Sequence, residues 1–503
     1  MKELKNRLAI GAIYTCIVAF SFYWFAPIFT IHYNSDQAVH VLMAADFDFS
    51  NDWYYWGQNR LGSLLPLLAS VFLKIIPVSP ALMVSIVQYA LLAGSFYLIT
   101  YRINNHFIKI PLCIMWFFPL NFFFAHVLIG QPYSAQFFFL GLAVFVVDKW
   151  HSMPKTSYLK NAIYLFFTGL FLFLSAWASD LSFFIIPLFI LYMLLISFNW
   201  NIQKNKLQVE ITFDKYKSTI NLISFTLGAL FILICINNFK NNPADPVQYK
   251  TLFSETSHIS AALNHSFELV GKAILFRMLD IPTSFIALFI LFLLVLYPVS
   301  FLMGRIRFEL ISLFEYFLFF SAFVSFIICI ASYWVEANEY NSRYFTFPFY
   351  MLVLFIAFRL VRLKGVFKHI GISAFFCCSL FSTINAIHFS SPEFTWESIS
   401  YEKATRIINK LGSCGIIGDY WHSYVFASAN PYLITATPGD QLGAVRKPEL
   451  AKKCMNKRKI VLCKNDWLEE FPDTVRAFQY TLIRKGNSFK IEEMNFCEYK
   501  ILK

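Results

Sequence analysis

Charge is what this chain of 503 residues has least of, for only 14% of it is Asp, Glu, Lys or Arg. A soluble protein normally carries about 25%, so an ordinary globular chain in water is excluded. The sequence also has no P-loop, no Gly-rich dinucleotide fingerprint, no zinc-protease helix and no nucleophile elbow, which argues against ATP-driven transport by this chain alone. Internal repeats, low-complexity segments and coiled-coil heptads are missing as well. Their absence disfavours the transporter architectures built from repeated halves.

What is present is apolar. Hydrophobic residues make up 58% of the chain, with 60 Phe, and the mean hydropathy is +0.56. The solvent for most of it is therefore lipid. The run 8–31 is long enough to cross the hydrocarbon core, exceeds the ~7–15 apolar residues of a signal peptide and has no small-residue cleavage site after it. It reads as the first span. Further spans are expected at 80–100, 110–126, 134–148, 161–179, 182–198, 219–237, 281–303, 310–333, 346–361 and 369–389, about eleven crossings in all. The stretch 61–78 is interrupted by Pro66, Lys74 and Pro77 and reads as an interfacial or re-entrant helix.

The formal charge of +12 does not imply nucleic acid, because the basic residues fall in short loops between apolar segments. With the N-terminus inside, Lys2, Lys5, Arg7, Arg102, Lys109, Lys149, Arg305, Arg307, Arg359, Arg362 and Lys368 are all cytoplasmic, as the positive-inside rule requires. An odd number of crossings then places the tail outside. The expected fold is an all-α polytopic membrane bundle over 1–389 with a small α/β extracytoplasmic domain over 390–503. In that tail 414–418, 432–436 and 459–463 read as strands, 401–411 and 467–478 as helices. Cys414, Cys454, Cys463 and Cys497 fall there too, an even number in a compartment that permits disulfides.

The candidate chemistry lies in the first outer loop, 32–79. Asp36 follows the first span, and Asp46, Asp48, Asp52 and Arg60 come after it. A carboxylate there sits where bilayer meets water, beside any headgroup presented at that face. A sugar linked through phosphate already has its leaving group. One carboxylate can take the acceptor hydroxyl's proton while cations stabilise the departing phosphate. Asp36 suits the first role, Arg60 or Arg343 the second, since Arg meets phosphate bidentately. Asp180, in the short turn between two spans, is either a site acid or a helix cap. Glu336, Glu339, Arg343 and Tyr344 crown another outer loop, where a Glu339–Arg343 ion pair is the bland alternative. His126 and Gln131 are hydrogen-bonding groups that read more simply as interfacial filler, as do Trp53, Tyr54, Tyr55 and Trp56 as an aromatic belt.

An acidic loop after the first span, an amphipathic loop helix, many further spans, the late outer-loop run Ser342-Arg343-Tyr344-Phe345-Thr346-Phe347-Pro348 and an outer soluble domain together resemble the class C integral membrane glycosyltransferases. That family includes bacterial enzymes that decorate lipopolysaccharide O-antigen from undecaprenyl-phosphate sugars. The resemblance implies an inverting transferase in a bacterial inner membrane, with Asp36 as catalytic base. It implies phosphate-side contacts from Arg60, Arg343 and Tyr344, no metal and no cofactor, while Asp46, Asp180 and Glu339 are substrate-contact candidates from their positions alone, with a solvated loop acid as the simpler reading of Asp46. Its partners are a polyprenyl-phosphate-linked sugar, a glycan acceptor and membrane lipid, not nucleic acid. The family's frequent Asp-Glu pair is missing, since Gln37 follows Asp36. The run Gly418-Asp419-Tyr420-Trp421-His422 has aromatic and polar groups suited to a carbohydrate, or is a strand end with a core Trp. A lipid-linked sugar translocase and a non-catalytic partner-binding subunit are the rival readings; the clean span centres and the acids gathered on one face favour the transferase.

Overall fold

The structure is a computed structural model that describes residues 2–30, 33–58, 60–152, 158–197, 199–203, 206–210, 215–239, 253–255, 258, 260–264, 313–388, 399–439, 445–465 and 467–502. It opens with α1 (Lys2–Phe25), followed by a loop that carries two short helices, α2 (Ser35–Ala45) and α3 (Leu64–Leu73), and then by α4 (Pro80–Thr100). After these come α5 (His106–Phe117), α6 (Tyr133–His151), α7 (Tyr158–Ala178), α8 (Ile186–Ser197) and α9 (Lys215–Phe239). The later helices are α10 (Leu313–Ala331), α11 (Tyr333–Ala337), α12 (Thr346–Arg362) and α13 (Gly365–His388).

Seven of the described helices are long and apolar enough to cross a membrane: α1, α4, α7, α9, α10, α12 and α13. The helix α4 begins where the sequence expects it, because the Ser79 side chain accepts from Leu82 N and Pro80 fills the first turn, a position that needs no N–H donor. Two expected crossings are broken. Residues 110–126 divide between the 12-residue α5 and a 3-10 turn, Asn121–His126. Residues 182–198 divide between another 3-10 turn, Asp180–Phe184, and the 12-residue α8. The crossing expected at 281–303 lies outside the described residues. The stretch 61–78 forms the 10-residue α3, about 15 Å long and too short to span. An antiparallel hairpin not foreseen in the sequence, β1 (Asn199–Gln203) with β2 (Lys206–Glu210), joins α8 to α9.

Lipid offers no hydrophobic gain for helix pairing, so close backbone approach must supply it. A Cβ on Gly228 would fall 2.1 Å from the Phe166 carbonyl oxygen, and one on Gly169 2.3 Å from that of Phe225. Only glycine lets α7 and α9 cross this closely. At the bundle end opposite the α2 loop, charges are buried in partnered groups. Arg102 pairs with Asp148, to which Tyr101 also donates, and Glu315 lies 3.8 Å from Arg359 and 3.4 Å from Arg362.

The tail contains α14 (Tyr401–Leu411), α15 (Tyr420–Ala429) and α16 (Pro448–Met455) around a seven-stranded sheet. Its strands are β3 (Cys414–Gly418), β4 (Ile434–Pro438), β5 (Ile460–Lys464), β6 (Thr474–Ala477), β7 (Tyr480–Arg484), β8 (Phe489–Ile491) and β9 (Met494–Ile501). The order is β4-β3-β5-β9-β7-β6, with β8 pairing β9. β3 is parallel to both neighbours and buried along its whole length, which is why it reads as an unbroken apolar run. The helix expected at 467–478 is not formed. Pro472 disfavours helix for Phe471 before it, and Phe478 and Gln479 adopt positive φ to turn β6 back onto β7.

The expectation of disulfides is also corrected, since Cys414, Cys454, Cys463 and Cys497 are free and buried. They are divided between two packing clusters. Cys414 and Cys463 pack with Ile416, Val461 and Phe496, whereas Cys454 and Cys497 pack with Ile417, Leu462 and Leu482. Burial pushes the Cys414 thiol up to about 11 and that of Cys454 to about 12, so they act as small hydrophobes. In denaturant without reductant, all four are expected to react with a thiol reagent by mass spectrometry; protection of any two would contradict this arrangement.

The tail docks on the first loop through one continuous core that includes Val39, Tyr55, Trp56, Tyr424 and Phe426. Within it Asp52 accepts from Lys447 Nζ at 3.0 Å and from Trp56 Nε1 at 2.8 Å, with the Asp52 side chain 4% exposed. Replacing Asp52 by Ala leaves the half-buried Lys447 ammonium and the Trp56 N–H without their acceptor, which costs about 1–3 kcal/mol. Denaturation of the purified protein in detergent should show that loss, and a double replacement of Asp52 and Lys447 by Met should recover most of it. Equal stability of the single variant and wild type would show the pair to be idle.

Candidate active site

The α2 helix begins at Asn34, whose side chain accepts from Gln37 N. Asp36 therefore sits in the first turn, where the helix dipole favours a carboxylate. The tail supplies the polar group on its carboxylate. Tyr420 Oη donates to Asp36 Oδ1 at 2.7 Å, and Ser35 Oγ donates to the Tyr420 carbonyl oxygen. Tyr55 Oη donates to the Asp36 carbonyl oxygen at 3.4 Å. Burial first, then the Asp36 charge, drives the Tyr420 phenol well above its ordinary range, so Tyr420 stays protonated and remains a donor.

Two guanidiniums share the field of this carboxylate. Arg343 Nη2 donates to Tyr344 Oη at 2.9 Å and reaches Asn338 Oδ1 at 3.5 Å; it turns to these groups and not to Glu339. Arg446 Nη2 donates to Tyr420 Oη at 3.3 Å and its guanidinium lies 5.0 Å from the centre of the Tyr420 ring. Burial opposes the Arg446 charge, while the Asp36 carboxylate and the hydrogen bond to Tyr420 favour it, and the guanidinium stays cationic. The Asp36 charge acts on Arg343 as well. In both arginines Nε is buried without a hydrogen-bond partner among the described residues. A buried donor left unmade costs about 1–3 kcal/mol, so both forks are set to receive an acceptor.

Of the residues picked out in the sequence, Asp36, Arg343, Tyr344 and Arg60 are brought together. The Arg60 guanidinium lies 3.3 Å from the centre of the Trp334 ring, and Trp334 meets the Tyr344 ring edge-on at 6.4 Å. Asp180 starts a 3-10 turn close to Tyr54. Asp46 lies apart, at the far end of α2, exposed and 3.0 Å from Lys453. Glu339 is exposed in a positive-φ turn, Glu336 pairs with His258, and Asp48 binds its own loop through Ser50 and Asn51. His126 is packed between Trp116 and Tyr350, as filler would be. Asp419 caps α15 and holds His422 Nδ1 at 2.8 Å, which serves the fold. Tyr420 and Arg446 were not singled out as charge-bearing site residues. The only signals were a Tyr in a polar-aromatic run and a basic pair, Arg446-Lys447, in an already polar tail.

No protein-family model matches the chain, and no curated protein matches it by sequence. Among solved structures, ArnT from Cupriavidus metallidurans bound to undecaprenyl phosphate superposes with a TM-score of 0.52 at 8% identity, covering 98% of each chain. The chain has the fold of ArnT. The same protein in its apo state gives a TM-score of 0.49 at 7% identity, over 99% of this chain and 98% of that one. The likeness extends over the arrangement of nearly the whole chain.

One group beside Asp36 reports on the site without taking part in it. His40, one turn further along α2, is 2% exposed and neither ring nitrogen has a partner among the described residues. Burial lowers its pKa to about 4, against the pull of Asp36. The folded protein thus holds His40 neutral while the unfolded chain begins to take up a proton near pH 6.5. Stability attributable to His40 is full above pH 6.5 and falls as the pH drops towards 4, by roughly 3 kcal/mol over the window. Unfolding measured across that range should show the slope in wild type and a shallower one in His40→Phe; identical slopes would refute the buried neutral state.

Proposed function

We propose that the protein is a glycosyltransferase that moves a sugar from an undecaprenyl-phosphate donor to a cell-envelope glycan. The observation that carries this reading is Asp36, with one carboxylate oxygen bonded to Tyr420 and the whole group in the field of buried Arg343. The fold shared with ArnT, which was crystallised with undecaprenyl phosphate bound, supports the donor class. Glucose as the sugar and lipopolysaccharide O-antigen as the acceptor are the narrower form of the proposal. We place the site on the periplasmic face of a bacterial inner membrane, with 1–389 as the membrane domain and 390–503 as the periplasmic one.

In the proposed reaction Asp36 takes the proton of the acceptor hydroxyl, whose oxygen forms a bond to the anomeric carbon. The bond from that carbon to the phosphate oxygen breaks, and its electron pair leaves on undecaprenyl phosphate. Attack opposite the leaving group inverts the anomeric centre. Arg343 and Arg60 neutralise the charge that gathers on the phosphate, and Tyr344 holds the Arg343 fork in place. Asp180 borders the donor sugar. Asp46 and Glu339, set apart by exposure, are assigned to the rim where the acceptor enters.

The test is transfer of radiolabelled sugar from a panel of synthetic undecaprenyl-phosphate sugars to envelope glycans, in membranes carrying wild type or Asp36→Asn. Removal of a general base typically costs about 10²–10⁴ in rate, and a loss of at least 100-fold with normal expression is expected here. Undiminished transfer by Asp36→Asn would remove Asp36 from the chemistry. Absence of transfer by wild type from every donor would refute the proposal.

A further inference from the structure

Arg343 and Asp36 alone form a neutral pair, and a neutral pair has no use for a further guanidinium held in the same field. Arg446 provides one nonetheless, from a segment more than a hundred residues of sequence beyond Arg343. Its place is prepared from both sides. A Cβ on Gly57, at φ +71, would lie 2.9 Å from Arg446 Cδ, so the loop is thinned to glycine where this side chain passes. On the tail side, Tyr424 Oη accepts from Arg446 N at 2.9 Å, and the next residue, Lys447, is anchored by the buried Asp52. The side chain is thus pinned before and behind its guanidinium. That guanidinium keeps Nε unpartnered among the described residues and bonds Tyr420 Oη, which bonds Asp36.

The charge count says what such a site is for. With Arg60, held over Trp334, Arg343 and Arg446 set three guanidiniums against the Asp36 carboxylate and leave a surplus of positive charge. A glycosyl phosphodiester carries about one negative charge and the phosphate monoester released from it approaches two at neutral pH. Arg343 is therefore matched by Asp36, and the surplus to which Arg446 adds grows in value as the bond breaks, which is the condition for catalysis and not merely binding.

We infer that Arg446 of the C-terminal domain is a further cation on the donor phosphate, beside Arg343 and Arg60, and that Tyr420 is a positioning residue that orients Asp36, so that the domain is a structural part of the reaction centre. The inference rests on the donor class proposed above. Tyr420 holds Oδ1 of Asp36 and leaves Oδ2 to the acceptor hydroxyl, while the same phenol receives Arg446 and ties the base to the phosphate site. A docking error in the tail then disturbs both groups together.

The experiment uses the full chain in lipid nanodiscs, with undecaprenyl phosphate and uncharged undecaprenol as probes and transfer as a second readout. Arg446→Ala should weaken undecaprenyl phosphate by about 10- to 100-fold, the worth of a hydrogen-bonded charge pair, with undecaprenol binding unchanged. Arg446→Lys, which keeps the charge and loses the fork, should recover part of it. Tyr420→Phe should bind undecaprenyl phosphate as wild type does and lose about 10-fold or more in kcat with KM for the donor held. Normal lipid-phosphate binding by Arg446→Ala, in a sample where Arg343→Ala has lost it, would overturn the role of Arg446 while leaving the donor class intact. Wild type that binds neither probe would overturn the donor class itself and this inference with it. A Tyr420→Phe protein with full kcat would return Tyr420 to a packing role.

Discussion

The hydrogen bond from Tyr420 to Asp36 joins residues 384 positions apart, and the rest of the site depends on the docking that makes it. The helix carrying Asp36 has only 11 residues, too few to hold its own shape in water. It is held because the tail helix α15 lies across it, with Tyr33 donating to Ser428, Ser35 to the Tyr420 carbonyl, and Ile399 N to the Tyr33 carbonyl. Closing so long a loop by itself costs a few kcal/mol and grows only slowly with length. The membrane bundle has already met most of that cost, since α1 and α13 fix both ends of the intervening chain.

Docking also sets the electrostatics. An exposed juxtamembrane carboxylate and an arginine in water attract by about 1 kcal/mol at contact, and by several times more once a protein surface covers them. Two ion pairs across the same interface illustrate the difference. Asp46–Lys453 and Asp52–Lys447 have the same 3.0 Å separation, yet the Asp46 side chain is 74% exposed and that of Asp52 4%. The first is a solvated contact of little consequence. The second cannot be broken without leaving a charge in the core. Asp36 lies on the covered side of this gradient, with Arg343 and Arg446.

Much of this architecture was legible because lipid imposes a strong contrast. Residues 80–100 and 401–411 were placed to the residue, the first by an apolar run between Pro80 and Arg102, the second by its amphipathic period after Ser400. β3 was likewise placed at 414–418 because a strand buried on both faces is apolar throughout. Contrast fails where local chemistry competes. The run 467–478 has helix-forming Leu, Glu and Arg, but Pro472 and the turn at Phe478-Gln479 decide against them. The even set of tail cysteines suggested pairing, yet all four are free and are spread over the two sides of the sheet, a placement that depends on the folded packing and not on spacing. Asp36 stood out as a carboxylate soon after the first span, and Arg343-Tyr344 as an outer-loop pair just ahead of a Pro and another span. Arg446 and Tyr420 did not, since in a tail rich in charge a basic residue carries no contrast, and its partner lies on the far side of the membrane domain's sequence.

That asymmetry bears on why a membrane protein of this kind carries a soluble domain over its first loop. A carboxylate at a bare bilayer surface would be hydrated, mobile and screened, and so would any cation meant to receive a phosphate there. Covering the loop with a sheet domain removes the water, but removing water from one acid and one arginine yields only a neutral pair. A site that is to favour charge as it develops needs its surplus brought in by the cover itself, so that exclusion of solvent and delivery of the cation are one event. Arg446 meets that condition: it enters on the covering domain, is pinned between Gly57 and Tyr424, and reaches Asp36 through the same phenol that fixes the carboxylate. The physical requirement is therefore placed on the interface, and a tail that folded correctly but docked one residue out of register would leave the membrane bundle intact and the proposed chemistry without the cation that the cover delivers.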